Sequence, residues 1–129
     1  MLFDRFRRRS ARGRQGPGHH AQGPSAAYEL AETDEEALTN AMVEWPNGGM
    51  KFPKGDIRSP FELEQMAKLV RPEDFEGRLV ISSDPDVHRA YIQKFVDLGF
   101  DRIYLHNVGR NQREWIDVFS RSVLPALSR

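Results

Sequence analysis

At 129 residues, with 39% apolar and 29% charged positions, the chain has room for one domain of ordinary size and the composition of a soluble protein. It contains no cysteine, which excludes disulfides and thiolate metal sites, and no apolar run long enough to cross a bilayer. The formal net charge of zero hides an imbalance: residues 1–26 hold Arg5, Arg7, Arg8, Arg9, Arg12 and Arg14 against Asp4 alone, and the rest of the chain carries the compensating acid.

The opening 26 residues read as a basic, low-complexity tail. Residues 10–26 are rich in Gly, Pro, Gln and Ser, with no apolar side chain larger than alanine. Such a stretch buries too little surface to offset its ordering entropy, so it is expected to be disordered. His19 and His20 lack a third ligand at a plausible spacing, and no metal site is expected. The arginines offer contacts to nucleic-acid phosphates, but only Phe3 and Phe6 accompany them and no binding module follows, so a solvated tail is the expectation. A basic start without an apolar segment behind it does not read as a secretory signal, which leaves the cytoplasm as the expected compartment.

From residue 27 the pattern changes, and residues 27–129 are expected to form one α/β unit. A short strand is predicted at 26–31. Thr33-Asp34-Glu35-Glu36 is a capping box, and Ala37, Leu38, Ala41, Met42 and Trp45 fall on one helical face up to Pro46. The stretch WPNGGMKFPKGDIRSP follows at 45–60. Its prolines and glycines forbid helix or central strand, and it holds Lys51, Lys54 and Arg58 against Asp56. A loop of this length is usually functional or disordered. Ser59-Pro60-Phe61-Glu62 is a second capping box, and Leu63, Met66, Ala67 and Val70 mark the helix behind it.

Arg78 leads into LVIS, a predicted buried strand. Asp84-Pro85 starts a helix whose buried face is expected at Val87, Ala90, Tyr91, Phe95 and Leu98, with Gly99 ending it; His88 is read as a surface or supporting residue. DRIYLHNV is the next strand, and a last helix runs over 112–127, its end frayed by Pro125. The span 79–127 is therefore a βαβα unit with parallel strands and a right-handed crossover. Two or three parallel strands are too few for a closed α/β domain, because parallel strands are buried on both faces.

At WPNGGMKFPKGDIRSPFE, ISSDPDVHRAYIQKFVDLGFDRIYLHNVGRNQREW and VLPAL the chain closely resembles the coenzyme F420-dependent glucose-6-phosphate dehydrogenases, of the luciferase-like class of flavin- and F420-dependent oxidoreductases. The resemblance implies a (β/α)8 TIM-type barrel, which takes about 250 residues. On that basis the chain is a C-terminal barrel fragment with two or three parallel strands, flanking helices and a long loop insertion.

The implied reaction is hydride transfer from C1 of glucose 6-phosphate to coenzyme F420. By the same resemblance Lys54 and Arg78 match positions that hold the sugar phosphate. The chemistry suits them: a phosphate dianion takes a point cation and a guanidinium fork. Lys51, Arg58 and His106 are possible helpers. His106, near the end of its strand, is read chiefly as a histidine that supports the strand end through hydrogen bonds rather than as a base. The family's catalytic residues and most cofactor contacts lie on earlier strands, so no catalytic residue is expected here and the isolated chain is expected to be inactive. The family is homodimeric. Two other classes are weighed against this one: an interaction module using the basic tail, and a barrel-derived partner that docks through its unpaired strands.

Overall fold

A computed structural model describes residues 24–52 and 54–128. The expectations placed on the arginine cluster, on His19 and His20 and on most of the tail lie outside these residues. Three strands, β1 (Ser25–Glu29), β2 (Leu79–Ile81) and β3 (Tyr104–Asn107), form a parallel sheet in the order β2-β1-β3. Ala27 stands opposite Leu79 on one side and His106 on the other. Among the described residues four α-helices accompany them: α1 (Asp34–Glu44), α2 (Pro60–Ala67), α3 (Pro85–Asp97) and α4 (Gln112–Val118). The two later strands are parallel, as expected, but they are not neighbours, because β1 lies between them.

That order dictates where the helices go. The connection through α1 carries the chain from β1 to one side, and the connection through α3 brings it back across β1 to the other. Right-handed crossovers running in opposite directions put their helices on opposite faces. Accordingly Ala27 packs with α1, while Ala26, Tyr28 and Leu30 pack with α3 and the C-terminal helix. An open parallel sheet is thereby covered on both faces, as its burial requires; in a closed barrel the helices form only the outer ring.

The helix starts follow the sequence closely. Thr33 Oγ1 accepts the Glu36 N–H at 3.1 Å and Ser59 Oγ accepts the Glu62 N–H at 3.1 Å. The second box is displaced by one residue on its return side, since Glu62 Oε2 takes the Arg58 N–H at 3.4 Å. Asp84 caps α3 through the Asp86 N–H at 2.8 Å. Gly99 closes α3 with φ at 83°, where the Phe100 N–H reaches the Phe95 carbonyl and the Gly99 N–H reaches Val96, the paired bonds of a Schellman ending.

Two expectations are corrected. The buried face of α3 is His88, Ile92 and Phe95; Val87 is 46% exposed and Ala90 is also exposed. The imidazole, not the valine beside it, enters the core because its ring meets Tyr28 and Phe119. The last helix is not regular to 127: α4 ends at Val118, a π-type turn runs over Phe119–Val123, and a 3-10 turn holds Pro125. The Leu124 N–H reaches back to the Phe119 carbonyl, the long bond of that wider turn.

Candidate phosphate-binding loop and neighbouring cleft

The long loop is ordered by cations on carbonyls. Pro46–Gly48 forms a 3-10 turn directly after α1. Lys54 Nζ donates to the Asn47 carbonyl, and Arg78 Nη1 donates to Met50 O at 2.7 Å and more weakly to Gly48 O at 3.4 Å. The two cations singled out in the sequence, 24 positions apart, thus converge on one turn. Arg78 immediately precedes β2, so it sits at the N-terminal end of its strand, and the loop reaches it there. Carbonyls are neutral acceptors, so the pair satisfies the turn while keeping its positive charge.

Gly48 is what lets the turn close. A Cβ at this position would collide with the Trp45 indole. The other face of the site is His106. Its ring meets Trp45 edge-on, with centroids 5.6 Å apart and planes at 81°. The residue is exposed, and neither ring nitrogen makes a hydrogen bond among the described residues. The expected bracing of the strand end by hydrogen bonds is therefore not what holds it; aromatic packing does.

The remaining candidates divide. Lys51 pairs with Asp74 at 2.9 Å. The Arg71 N–H first and Lys51 second hold the Asp74 carboxyl below its ordinary range. Lys51 is thus committed to fastening the loop to the Pro72–Phe75 turn. Arg58 is exposed, and its backbone N–H serves the α2 start.

A cleft of about 780 Å³ opens at the C-terminal ends of the strands, where α/β sheets commonly bind ligands. Its charged lining is Glu32, Glu36, Glu114 and Asp117 against Arg110, and Arg110 is itself paired with Glu44 at 2.7 Å. The acid predominates, so the cleft repels phosphate, and the cations lie on the loop instead.

Sequence reasoning missed the full burial of Glu29 and of His88. Glu29, the last residue of β1, is fully buried; Oε1 accepts from Asn40 Nδ2 at 3.1 Å, and Oε2 has no hydrogen bond among the described residues. Burial pushes this carboxyl above its ordinary range, and the Asn40 amide offsets only part of that. His88 is likewise fully buried, with Nε2 2.9 Å from the Ser82 carbonyl and Nδ1 unpartnered. Burial lowers its pKa, so the neutral ring is favoured. A glutamate closing a short alternating run was the only available signal for the first. For the second it was the spacing of four to Ile92.

No protein-family profile matches the chain. The fold defines the class: an α/β unit corresponding to part of a (β/α)8 barrel, with an unclosed three-stranded sheet. The solved structure of an F420-dependent secondary alcohol dehydrogenase in complex with an F420-acetone adduct matches 98% of this chain with a TM-score of 0.69 at 19% identity, and 37% of that protein is covered.

The more particular likeness is to the F420-dependent glucose-6-phosphate dehydrogenases. The chain is 35% identical over 91 residues to the enzyme of that name from Intrasporangium calvum, which matches 70% of this chain and 27% of the relative. It is 31% identical over 97 residues to F420-dependent glucose-6-phosphate dehydrogenase 2 of Rhodococcus jostii, covering 74% and 29%. The Microbacterium testaceum enzyme matches at 30% over 76 residues, covering 59% and 23%. The chain thus spans about a quarter of the length of the curated relatives it matches. No helix among the described residues is long and apolar enough to cross a membrane.

Proposed function

We propose that this chain forms the substrate-phosphate region of an F420-dependent oxidoreductase that oxidises glucose 6-phosphate to 6-phosphogluconolactone by hydride transfer from C1 to coenzyme F420. The observation that carries this reading is the convergence of Lys54 and Arg78 on one turn. A bound phosphate takes over donors that now serve neutral carbonyls, exchanging a neutral acceptor for a charge-assisted one. Kinship with enzymes named for this reaction supplies the substrate class.

The cofactor is a different matter. Coenzyme F420 carries a phosphate, and the charged residues lining the cleft at the strand ends are four carboxylates against Arg110, so these residues do not fit it. No step through the cofactor is assigned to this chain. The 129 residues are read as supplying phosphate contacts without the acid–base pair of the reaction.

Calorimetric titration of the full chain with glucose 6-phosphate tests the proposal. The expected result is saturable binding that weakens about tenfold or more in both Lys54→Gln and Arg78→Gln, since each removes a charge-assisted contact. Absence of binding by the folded wild-type chain overturns the reading. Loss of F420 absorbance on mixing the chain with glucose 6-phosphate and F420 overturns the assignment of the acid–base pair to residues outside it.

A further inference from the structure

We infer that His106 is the residue of this chain that holds a hydroxyl of the sugar, beside the phosphate site of Lys54 and Arg78. The inference rests on the phosphate reading above and extends it along the same face of the sheet. His106 and Leu79 flank Ala27 in one cross-strand row, and Arg78 is the residue next to Leu79. Two strand spacings of about 4.8 Å separate β2 from β3, so the backbone positions of Arg78 and His106 lie roughly 10 Å apart. A hexose phosphate spans a length of that order.

A relay of contacts links them, through the buried Gly48. Arg78 holds the Gly48 carbonyl, Gly48 lies against the Trp45 indole, and the indole meets the His106 ring. At the cationic end the donors suit a dianion. In the middle a half-buried indole presents apolar surface suited to the C–H groups of a sugar ring. At the far end His106 is exposed, with one ring nitrogen able to donate and the other to accept when neutral, which matches a hydroxyl. The edge-on contact with Trp45 holds the ring, and neither nitrogen has a hydrogen-bond partner among the described residues.

The test compares two ligands on four forms of the full chain: inorganic phosphate and glucose 6-phosphate on wild type, His106→Phe, His106→Gln and Arg78→Gln. Phenylalanine keeps a ring against Trp45 and removes both nitrogens; glutamine keeps a donor and an acceptor. Loss of one neutral hydrogen bond predicts that His106→Phe weakens glucose 6-phosphate about three- to tenfold and leaves inorganic phosphate unchanged. His106→Gln retains most of the sugar-phosphate affinity, and Arg78→Gln weakens both ligands. Wild-type affinity of His106→Phe for both ligands overturns the inference and leaves the phosphate reading standing. Equal weakening of both ligands in His106→Phe also overturns it, because the effect then acts through Trp45 and the turn. A wild-type chain that binds neither ligand overturns the phosphate reading itself.

Discussion

The two faces of the sheet are built from different materials. One is aromatic: Tyr28, Phe95 and Phe119 are buried with Ile92 and Val123, and Tyr28 and Phe119 meet edge-on with centroids 6.0 Å apart while Trp115 stacks on Phe119 at 4.0 Å. The other is made of small and flexible residues, with Ala27, Ala41 and Met50 buried beside Phe75 and Leu79, and its loop is tied down by Lys54, Arg78 and Lys51 on polar atoms. Rings bury large areas at low conformational cost and leave little room for motion. Cation-to-carbonyl fastenings exchange more readily, because water or an anion replaces the partner at small net cost. The aromatic face holds the fold, and the fastened face carries the cations proposed to bind phosphate.

Breaking the aromatic face costs most. Phe119, at 1% exposure, touches Tyr28, His88 and Trp115, and Phe119→Ala is expected to lower unfolding free energy by about 3–5 kcal/mol in a urea titration. A loss under about 1 kcal/mol means that this face is not one packed unit. Gly48→Ala probes the other face. The added methyl has no room beside the indole, so a loss of about 1–3 kcal/mol is expected, with weaker binding of glucose 6-phosphate. Unchanged stability and affinity mean that the turn yields without cost.

Stability against pH sharpens the contrast, because His88 on one face and Glu29 on the other are buried and shift with opposite signs. His88, on the aromatic face, is held neutral by burial, so the unfolded chain binds the extra proton first. Its contribution is full above the ordinary histidine pKa of 6.5 and is lost as pH falls below it. Glu29, on the loop face, holds its proton more tightly when folded. Its contribution is full below the ordinary carboxyl pKa and is lost as pH rises towards the folded value. Glu29→Gln removes this dependence, so the variant is expected to gain on wild type as pH rises above the ordinary carboxyl pKa of 4.5. Urea midpoints for the two proteins across that range check it; parallel curves rule out the Glu29 contribution. The smallest effect belongs to an exposed helix start. Ser59→Ala removes the acceptor for the Glu62 N–H and is expected to cost about 0.5–2 kcal/mol by thermal melt.

Much of this chain was legible because its signals are local. Thr33, Ser59 and Asp84 cap where a hydroxyl or carboxylate precedes a helical stripe, and each needs only the next few residues. Gly99 ends α3 because only glycine takes its backbone angle at no steric cost. The strands at 79 and 104 announced themselves by apolar and β-branched content. The loop was legible as something other than helix or strand, and its cations were legible as candidates.

Tertiary structure decided the rest. Local pattern places a strand but not its neighbours, so β1 entering between β2 and β3 was hidden until all three were paired. Two side chains of kinds that are usually exposed went the other way. Glu29 is buried because the central strand of a parallel sheet is covered on both faces, and His88 because an aromatic pocket accepts its ring. Most of all, the meeting of Lys54 and Arg78 on one turn depends on contacts between segments 28–30 positions apart. The amino-acid order by itself determined which residues begin and end each element, because capping and backbone angles act over one helical turn. Packing determined which of those elements touch, because burial acts through space and not along the chain.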